Sequence, residues 1–490
     1  MKNIEKISKV LNFYTYANKL KDISSSLLHS CADRIYGSCI LALAYNSEIS
    51  NIDVSKIIKM ELFCELSHID GFDTVINSMK QKEKIESLIN EYKDNESHDS
   101  ILAHNFRVLD ALLTKISDQS TNMVEFINEA NKYLDRFGIE GHKNILEFYY
   151  YNSVLKTKIR SGWDKFHWNI KQNGMRIETI ADHIIGCISL SYALGSEFEY
   201  PFSIDEAIKV ILIHEIGESI IGDITPFDKV SKEEKMKKEH QAMKKVLSGL
   251  KMCDELYLSL IDFDDALTPM NKFCHLCDKL EADIQSKIYQ EKNLHNSLNN
   301  QKNNVVMKSS KVKQMIHDGL AETAFDIWFY YDKSIYEHED MEEFYNILKA
   351  IKDNDILKHE PLKEVINLTR QEYEFIVNEI GIEIQRLKQD SQIDAIVLTP
   401  IQNEKSGIIK IEVLTNKEDD EEEYLKSLTE YINSKNKTAI KVIFTEKYDY
   451  LVSSQSTILF DRFSFLKEEN TQNVNVVDYN PPIEKKLKQQ

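Results

Sequence analysis

The sequence predicts a mainly α-helical chain that ends in a small α/β domain, and three observations predict it. Apolar side chains recur at steps of three and four in residues 178–194 (ETIADHIIGCISLSYAL) and 204–221 (IDEAIKVILIHEIGESII), and again between about 291 and 390. Glycine numbers only 14 and proline 7 in 490 residues, so long helices with few breaks are expected. Near the C-terminus the pattern changes to short runs rich in Ile and Val, of strand length. A chain of this size holds two or three domains, each with its own core.

Along the chain, residues 11–21 (LNFYTYANKLK) look like residues 146–156 (LEFYYYNSVLK), and each run is followed by a comparable series of helices, as in a repeat. The stretch 178–194 reads as one buried helix and 204–221 as another. In the second, His214 and Glu218 are four apart and share a face, with Glu215 roughly 100° round from His214. That helix should end near Gly222, where Gly-Asp and then Thr225-Pro226 are stop and turn signals. NLHNSLNNQKNN, from 293, reads as an exposed loop. Residues 393–399, 408–414 and 438–445 read as strands, with helix between the last two.

Ionisable groups on otherwise apolar helices need a reason. His183, His214, Glu215, Glu218, Asp223 and Asp278 recur together in one domain, and burying so many without a cation is costly. Imidazole and carboxylate groups brought from three separated stretches make a divalent-metal site.

These residues resemble the HD-domain phosphohydrolases, marked by His, then His-Asp, then a distant Asp, and among them the 5′-deoxynucleotidases. Arg160-Ser-Gly-Trp163 resembles the family's Arg-Thr-Gly-Trp, TIADH its helix ending in the first His, and HEIGESIIGDITP its His-Asp-x-x-Glu-x-x-x-Gly-Asp segment. KEEKMKKEHQAM, from 232, resembles the charged helix that follows; the likeness covers about 145 to 290. The resemblance implies that His183, His214, Glu215 and Asp278 hold a divalent cation (Mg, Mn or Co). It implies that Glu218 orients or deprotonates a water with Asp223 in support, and that Arg160 and Trp163 bind substrate, a nucleoside 5′-monophosphate. Packing in the core is the other reading of Trp163. Arg176 and Lys279 are further candidates for the same anion, or simple surface cations.

The chain departs from the family at one ligand, where Glu215 replaces the paired Asp. Glutamate keeps a carboxylate oxygen but moves it by roughly 1.5 Å, and a misplacement of about 1 Å costs about a hundredfold in rate. Hydrolysis is the first reading; a catalytically impaired nucleotide sensor or scaffold is the alternative.

The same resemblance divides the chain into residues 1–140, 141–360 and 361–490: a degenerate HD-like bundle, an HD-type phosphohydrolase domain with a helical extension, and an α/β domain. Aligning CADRIYGSCILALAY from Cys31 with IADHIIGCISLSYAL places Arg34 at His183. Aligning the run from Lys59 with KVILIHEIGESIIGD places Cys64 at His214, Glu65 at Glu215, His68 at Glu218 and Asp73 at Asp223. Aligning HNFRVLDALL from His104 with HLCDKLEADI places Arg107 at Asp278. Two arginines there repel a cation, so the first copy is expected to hold no metal and to pack on the second as an internal pseudo-dimer; two unrelated bundles sharing an apolar period is the other reading. The C-terminal unit weakly resembles a nucleotidyltransferase core. TPIQNEKSG stands in place of that family's Gly-Ser turn, and Ile408 and Lys410 stand where its carboxylates belong, which excludes nucleotidyl transfer and leaves a degenerate docking domain or an unrelated α/β domain.

A net charge of −19 speaks against broad binding to DNA or RNA. No apolar run reaches membrane-spanning length and the N-terminus lacks a signal-peptide core, so a cytoplasmic protein is expected. Seven cysteines, an odd number without repeated spacing, are expected to be reduced, with Cys274 and Cys277 as core thiols.

Overall fold

Asp53, Ser97, Thr179, Ser203, Ser231, Thr268 and Thr323 each accept the backbone N–H three residues on, and each stands at the start of a helix. Such side chains replace bonds that a first helical turn cannot make within itself. At Thr179 and Thr323 the box closes on both sides, because Asp182 and Asp326 accept the N–H of the capping residue in return. Pro269 occupies a first-turn position, where its missing N–H leaves no helical bond unmade.

The computed structural model describes residues 3–353 except 24, 26–28, 50, 135–142, 165–167, 169–175, 229 and 338, together with the backbone of five strands between 393 and 476. Among the described residues the helices of eight residues or more are, in order, α1 (Ile4–Ala17), α2 (Cys31–Ile49), α3 (Val54–Ser67), α4 (Lys82–Asp94), α5 (His98–Gln119), α6 (Met123–Leu134), α7 (Lys143–Ser153) and α8 (Ile180–Glu197). They continue with α9 (Ile204–Ile213), α10 (Lys232–Leu247), α11 (Cys253–Asp265), α12 (Pro269–Glu291), α13 (Ser310–His317), α14 (Ala324–Asp332) and α15 (Glu342–Asp353). The chain is thus mainly α, and no helix among these residues is long and apolar enough to cross a membrane. In the loop after α12, Leu294, Gln301 and Asn304 are buried, so that stretch is less exposed than its composition suggests.

Two compact units divide the chain. The first comprises Met1–Asp22, Ser30–Asn173 and Ile177–Pro361; the second comprises Ile23–His29, Gly174–Arg176 and Leu362–Gln490. Most of segments 1–140 and 141–360 therefore falls within one unit. They are interlocked: α1 packs along α8, α7 packs along α2, and α2 and α8 pack on each other at the centre. The ends of α2 and α8 exchange hydroxyls, Ser30 donating to Asp182 Oδ1 (2.5 Å) and Thr179 donating to Asp33 Oδ1 (2.7 Å).

The second unit holds a mixed sheet in the order β3-β2-β1-β4-β5, with β1 (Ile393–Ile401), β2 (Ile408–Thr415), β3 (Ile440–Glu446), β4 (Thr457–Asp461) and β5 (Asn475–Val476). β1 runs antiparallel to β2 and β4, while β2–β3 and β4–β5 are parallel. The three strands read from the sequence are β1, β2 and β3. Their expected intervening helix lies outside the described residues, and β4, within YDYLVSSQSTILFDRF, is a strand not anticipated.

One expectation for the first unit is corrected. Residues 204–221 do not form a continuous helix: α9 stops at Ile213, residues 214–217 are a turn closed by Ile216 N–H on Ile213 O and Glu218 N–H on Glu215 O, and a short helix follows at Glu218–Ile221. Tightening to three-residue bonds rotates His214 and Glu215 out of helical register. The chain then leaves at Gly222, whose φ of +81° favours glycine, as the stop signal predicts.

Candidate metal centre

His183 sits on the first turn of α8, held in place by the Thr179 capping box just before it, and is fully buried. Its Nδ1–H donates to Glu281 Oε2 at 2.5 Å, which leaves Nε2 facing Asp278 Oδ1 at 3.0 Å. Asp278 and Glu281 are three apart on α12, one helical step along the same face.

The turn after α9 brings the second imidazole. His214 Nδ1–H donates to the Ile211 carbonyl at 2.7 Å, an acceptor left open where the helix stops, so its Nε2 carries the lone pair. That Nε2 is buried and has no hydrogen-bond partner. It stands 3.7 Å from Glu215 Oε1 and 3.8 Å from Asp278 Oδ1, and Glu215 Oε1 is 3.9 Å from His183 Nε2. Donor atoms of His183, Cys187, His214 and Asp278 all lie within 4.8 Å of one another. Three of the four residues predicted as ligands, His183, His214 and Asp278, thus cluster with Cys187, while the fourth, Glu215, approaches the two imidazole nitrogens from outside that group.

Arg160 and Glu215 form the more open wall, with side chains 14% and 13% exposed against 0% for His183. Arg160 Nη1–H donates to Glu215 Oε1 at 2.7 Å and lies 3.8 Å from both Glu218 Oε2 and Asp223 Oδ2. Asp223 accepts the Ser161 N–H (2.8 Å) on its carboxylate and the Ser161 hydroxyl (2.8 Å) on its carbonyl, which fixes the backbone beside Arg160. Lys158 Nζ donates to the Glu218 carbonyl at 2.8 Å and anchors the short helix. Lys279 pairs with Asp278 Oδ2 at 2.9 Å.

The electrostatics separate the acids. Burial opposes ionisation at Glu215, yet His214 and Arg160 hold its carboxyl well below the usual range. Burial likewise opposes ionisation at Asp278, where the charge of Lys279 prevails and holds it low. At Glu218 burial, Asp223 and Glu215 act together and push the carboxyl well up.

Trp163 is placed differently from the substrate contact expected of it. It is 2% exposed, its indole N–H donates to Glu178 Oε1 at 2.6 Å, and its ring packs against Tyr289 and Trp328. It braces the loop that carries Arg160, which is the packing alternative. Sequence reasoning missed Cys187, whose Sγ is 3.5 Å from His183 Nε2, and Glu281. Both lay in plain view at helical spacing, one turn past His183 and Asp278 respectively.

In the N-terminal half, three of the four residues aligned with the proposed ligands, Arg34, Glu65 and Arg107, form an ion-pair cluster. Arg34 Nη2 lies 2.5 Å from Glu65 Oε2, and Arg107 pairs with the other oxygen of Glu65. All seven cysteines are free thiols.

A buried imidazole nitrogen without a partner, a second one aimed at the same space and two carboxylates held ionised are the donor set of a divalent cation, and the residues fit one. A family model described as an HD domain matches residues 153–324. The 5′-deoxynucleotidase hdd1 of Schizosaccharomyces pombe is 32% identical over 146 residues, 29% of this chain and 69% of that protein. The 5′-deoxynucleotidase HDDC2 of Danio rerio is 30% identical over 150 residues (30% and 70%), and that of Homo sapiens 27% identical over 157 residues (32% and 72%). With its two imidazoles and acids gathered from the same segment that these relatives share, the chain belongs to the HD-domain phosphohydrolase family.

Proposed function

We propose that this chain hydrolyses nucleoside 5′-monophosphates, deoxynucleotides foremost, with Mg²⁺, Mn²⁺ or Co²⁺ held by His183, His214, Glu215 and Asp278. The observation that carries the reading is the buried, partnerless His214 Nε2 facing His183 Nε2 and two ionised acids. The substrate class is supported by relatives named 5′-deoxynucleotidases, matched over 69–72% of their own length. When bound, the cation supplies Lewis-acid polarisation of a phosphoryl oxygen and raises the acidity of a water.

The chain's own groups do the rest. Arg160 offers its planar guanidinium to the phosphate from the open wall, and Asp223 keeps the Arg160–Ser161 backbone in place for it. Glu218 Oε2, buried and without a hydrogen-bond partner, holds and moves the proton that hydrolysis requires. Glu281 fixes the His183 tautomer, so that Nε2 and not Nδ1 faces the cation.

Residues 1–140 are read as a second, degenerate copy, making the first unit an internal pseudo-dimer. Matched positions in the two aligned runs make matched contacts: Tyr14 donates to Glu281 (2.6 Å) and Tyr149 to Asp110 (2.7 Å). Phosphate release from a panel of nucleotides with each metal tests the function. Activity that His214→Ala abolishes supports it; a silent wild type that Glu215→Asp awakens would leave the chain a nucleotide-binding sensor.

A further inference from the structure

We propose that Lys21, in the N-terminal half of the chain, is a positioning residue for the metal centre of the other half. This rests on the metal reading above and adds to it a connection that spans both halves. Glu281 is fully buried and uses one oxygen to accept His183 Nδ1–H at 2.5 Å. Its other oxygen, Oε1, accepts the Tyr14 hydroxyl at 2.6 Å and pairs with Lys21 Nζ. Lys21 is 4% exposed, and its Nζ also donates to Glu178 Oε2 at 2.6 Å and Gln285 Oε1 at 3.0 Å. A buried carboxylate keeps its charge only beside a countercharge, and an ionised, oriented Glu281 is what fixes the His183 ring and strengthens it as a ligand. The chain of contact therefore runs Lys21, Glu281, His183.

The backbone makes room for this crossing. A Cβ on Gly186 would stand 2.2 Å from Glu281 Oε1 and 3.1 Å from Lys21 Nζ. The N-terminal half repeats the arrangement with no imidazole at its end: Lys156 Nζ pairs with Asp110 Oδ1 at 2.9 Å, Tyr149 donates to the same oxygen, and a Cβ on Gly37 would strike Asp110. There Arg34 stands where His183 stands. Lys156 and Lys21 thus share the packing role, and only Lys21 is connected to a ligand, which supplies an internal control.

The test is titration of the full chain with Co²⁺, followed by calorimetry and by the visible absorption of the bound ion. Lys21→Met is expected to weaken Co²⁺ binding by about 10–100-fold and to change the spectrum, whereas Lys156→Met lowers thermal stability and leaves affinity within about twofold. Lys21→Met/Glu281→Gln removes one charge of each sign, so that Glu178 alone loses its cation, and it is expected to show the same loss of affinity. Equal losses in Lys21→Met and Lys156→Met, or wild-type affinity and spectrum in the double variant, would overturn the proposal. Absence of Co²⁺ binding in the wild type would instead defeat the metal reading, and is visible before any variant is made.

Discussion

Arg160 donates to Glu215 across 2.7 Å at the open wall of the centre, so the carboxylate that departs from the family pattern is clamped from the solvent side. The longer side chain reaches the guanidinium while standing 3.7 and 3.9 Å from the two imidazole nitrogens. Under the proposed function Arg160 serves two groups, the acid and the incoming phosphate. Arg160→Lys keeps the charge and loses the planar fork, and should raise KM for nucleoside monophosphates about tenfold or more, with a smaller change in kcat. Steady-state phosphate release measures both.

His214→Ala removes a buried imidazole nitrogen that has no hydrogen-bond partner and stands within 4 Å of Glu215 Oε1 and Asp278 Oδ1. Metal content of the purified protein should fall below one equivalent and phosphate release should drop at least about 100-fold. Unchanged metal content would place the cation elsewhere.

Glu61 gives a pH signature away from the metal centre. Burial, assisted by Glu65 and Asp110 and opposed by Arg107, raises its carboxyl from 4.5 to about 7, and both oxygens lack hydrogen-bond partners. The folded chain holds this proton more tightly than the unfolded chain. The contribution to stability is therefore complete below about pH 4.5 and is lost as pH rises toward 7. Glu61→Gln should be more stable than wild type at pH 8 by on the order of 1–3 kcal/mol and indistinguishable at pH 4.5. Denaturant melts at the two pH values decide it.

Thr179 works at two ends, capping α8 through the Asp182 N–H and donating its hydroxyl to Asp33. Thr179→Ala should cost about 1–3 kcal/mol, more than a cap alone, and Thr179→Ser should recover most of it. Thermal denaturation of the pair of variants checks this.

The helices were legible because their signals are local. Apolar spacing, capping side chains and Gly222 set α8, α9 and the exit of the turn within a few residues of where they fall. The proposed ligands His183, His214, Glu215 and Asp278 were legible for a related reason: each is an ionisable group in an apolar run, which is conspicuous without knowledge of neighbours. The break at His214 was not, since the same residues suit a continuous helix and the turn is set by packing and by the His214–Ile211 bond. Trp163 beside a glycine reads equally as a ligand platform or a brace, and only Glu178, Tyr289 and Trp328 decide between them. Lys21 gave no signal at all, because its partners lie 157 and 260 residues away.

That last separation bears on how the chain is made. At a synthesis rate of about 5–20 residues per second, Lys21 emerges about 13–50 s before Glu281 exists, and α1 waits as long for the rest of its packing surface. During that interval Phe13 can meet Phe63 and then Tyr192 as their helices appear, whereas Tyr14 and Lys21 lack their Glu281 partner until α12 is made. The Lys21–Glu281–His183 contact therefore cannot close until α8 and α12 have both been made.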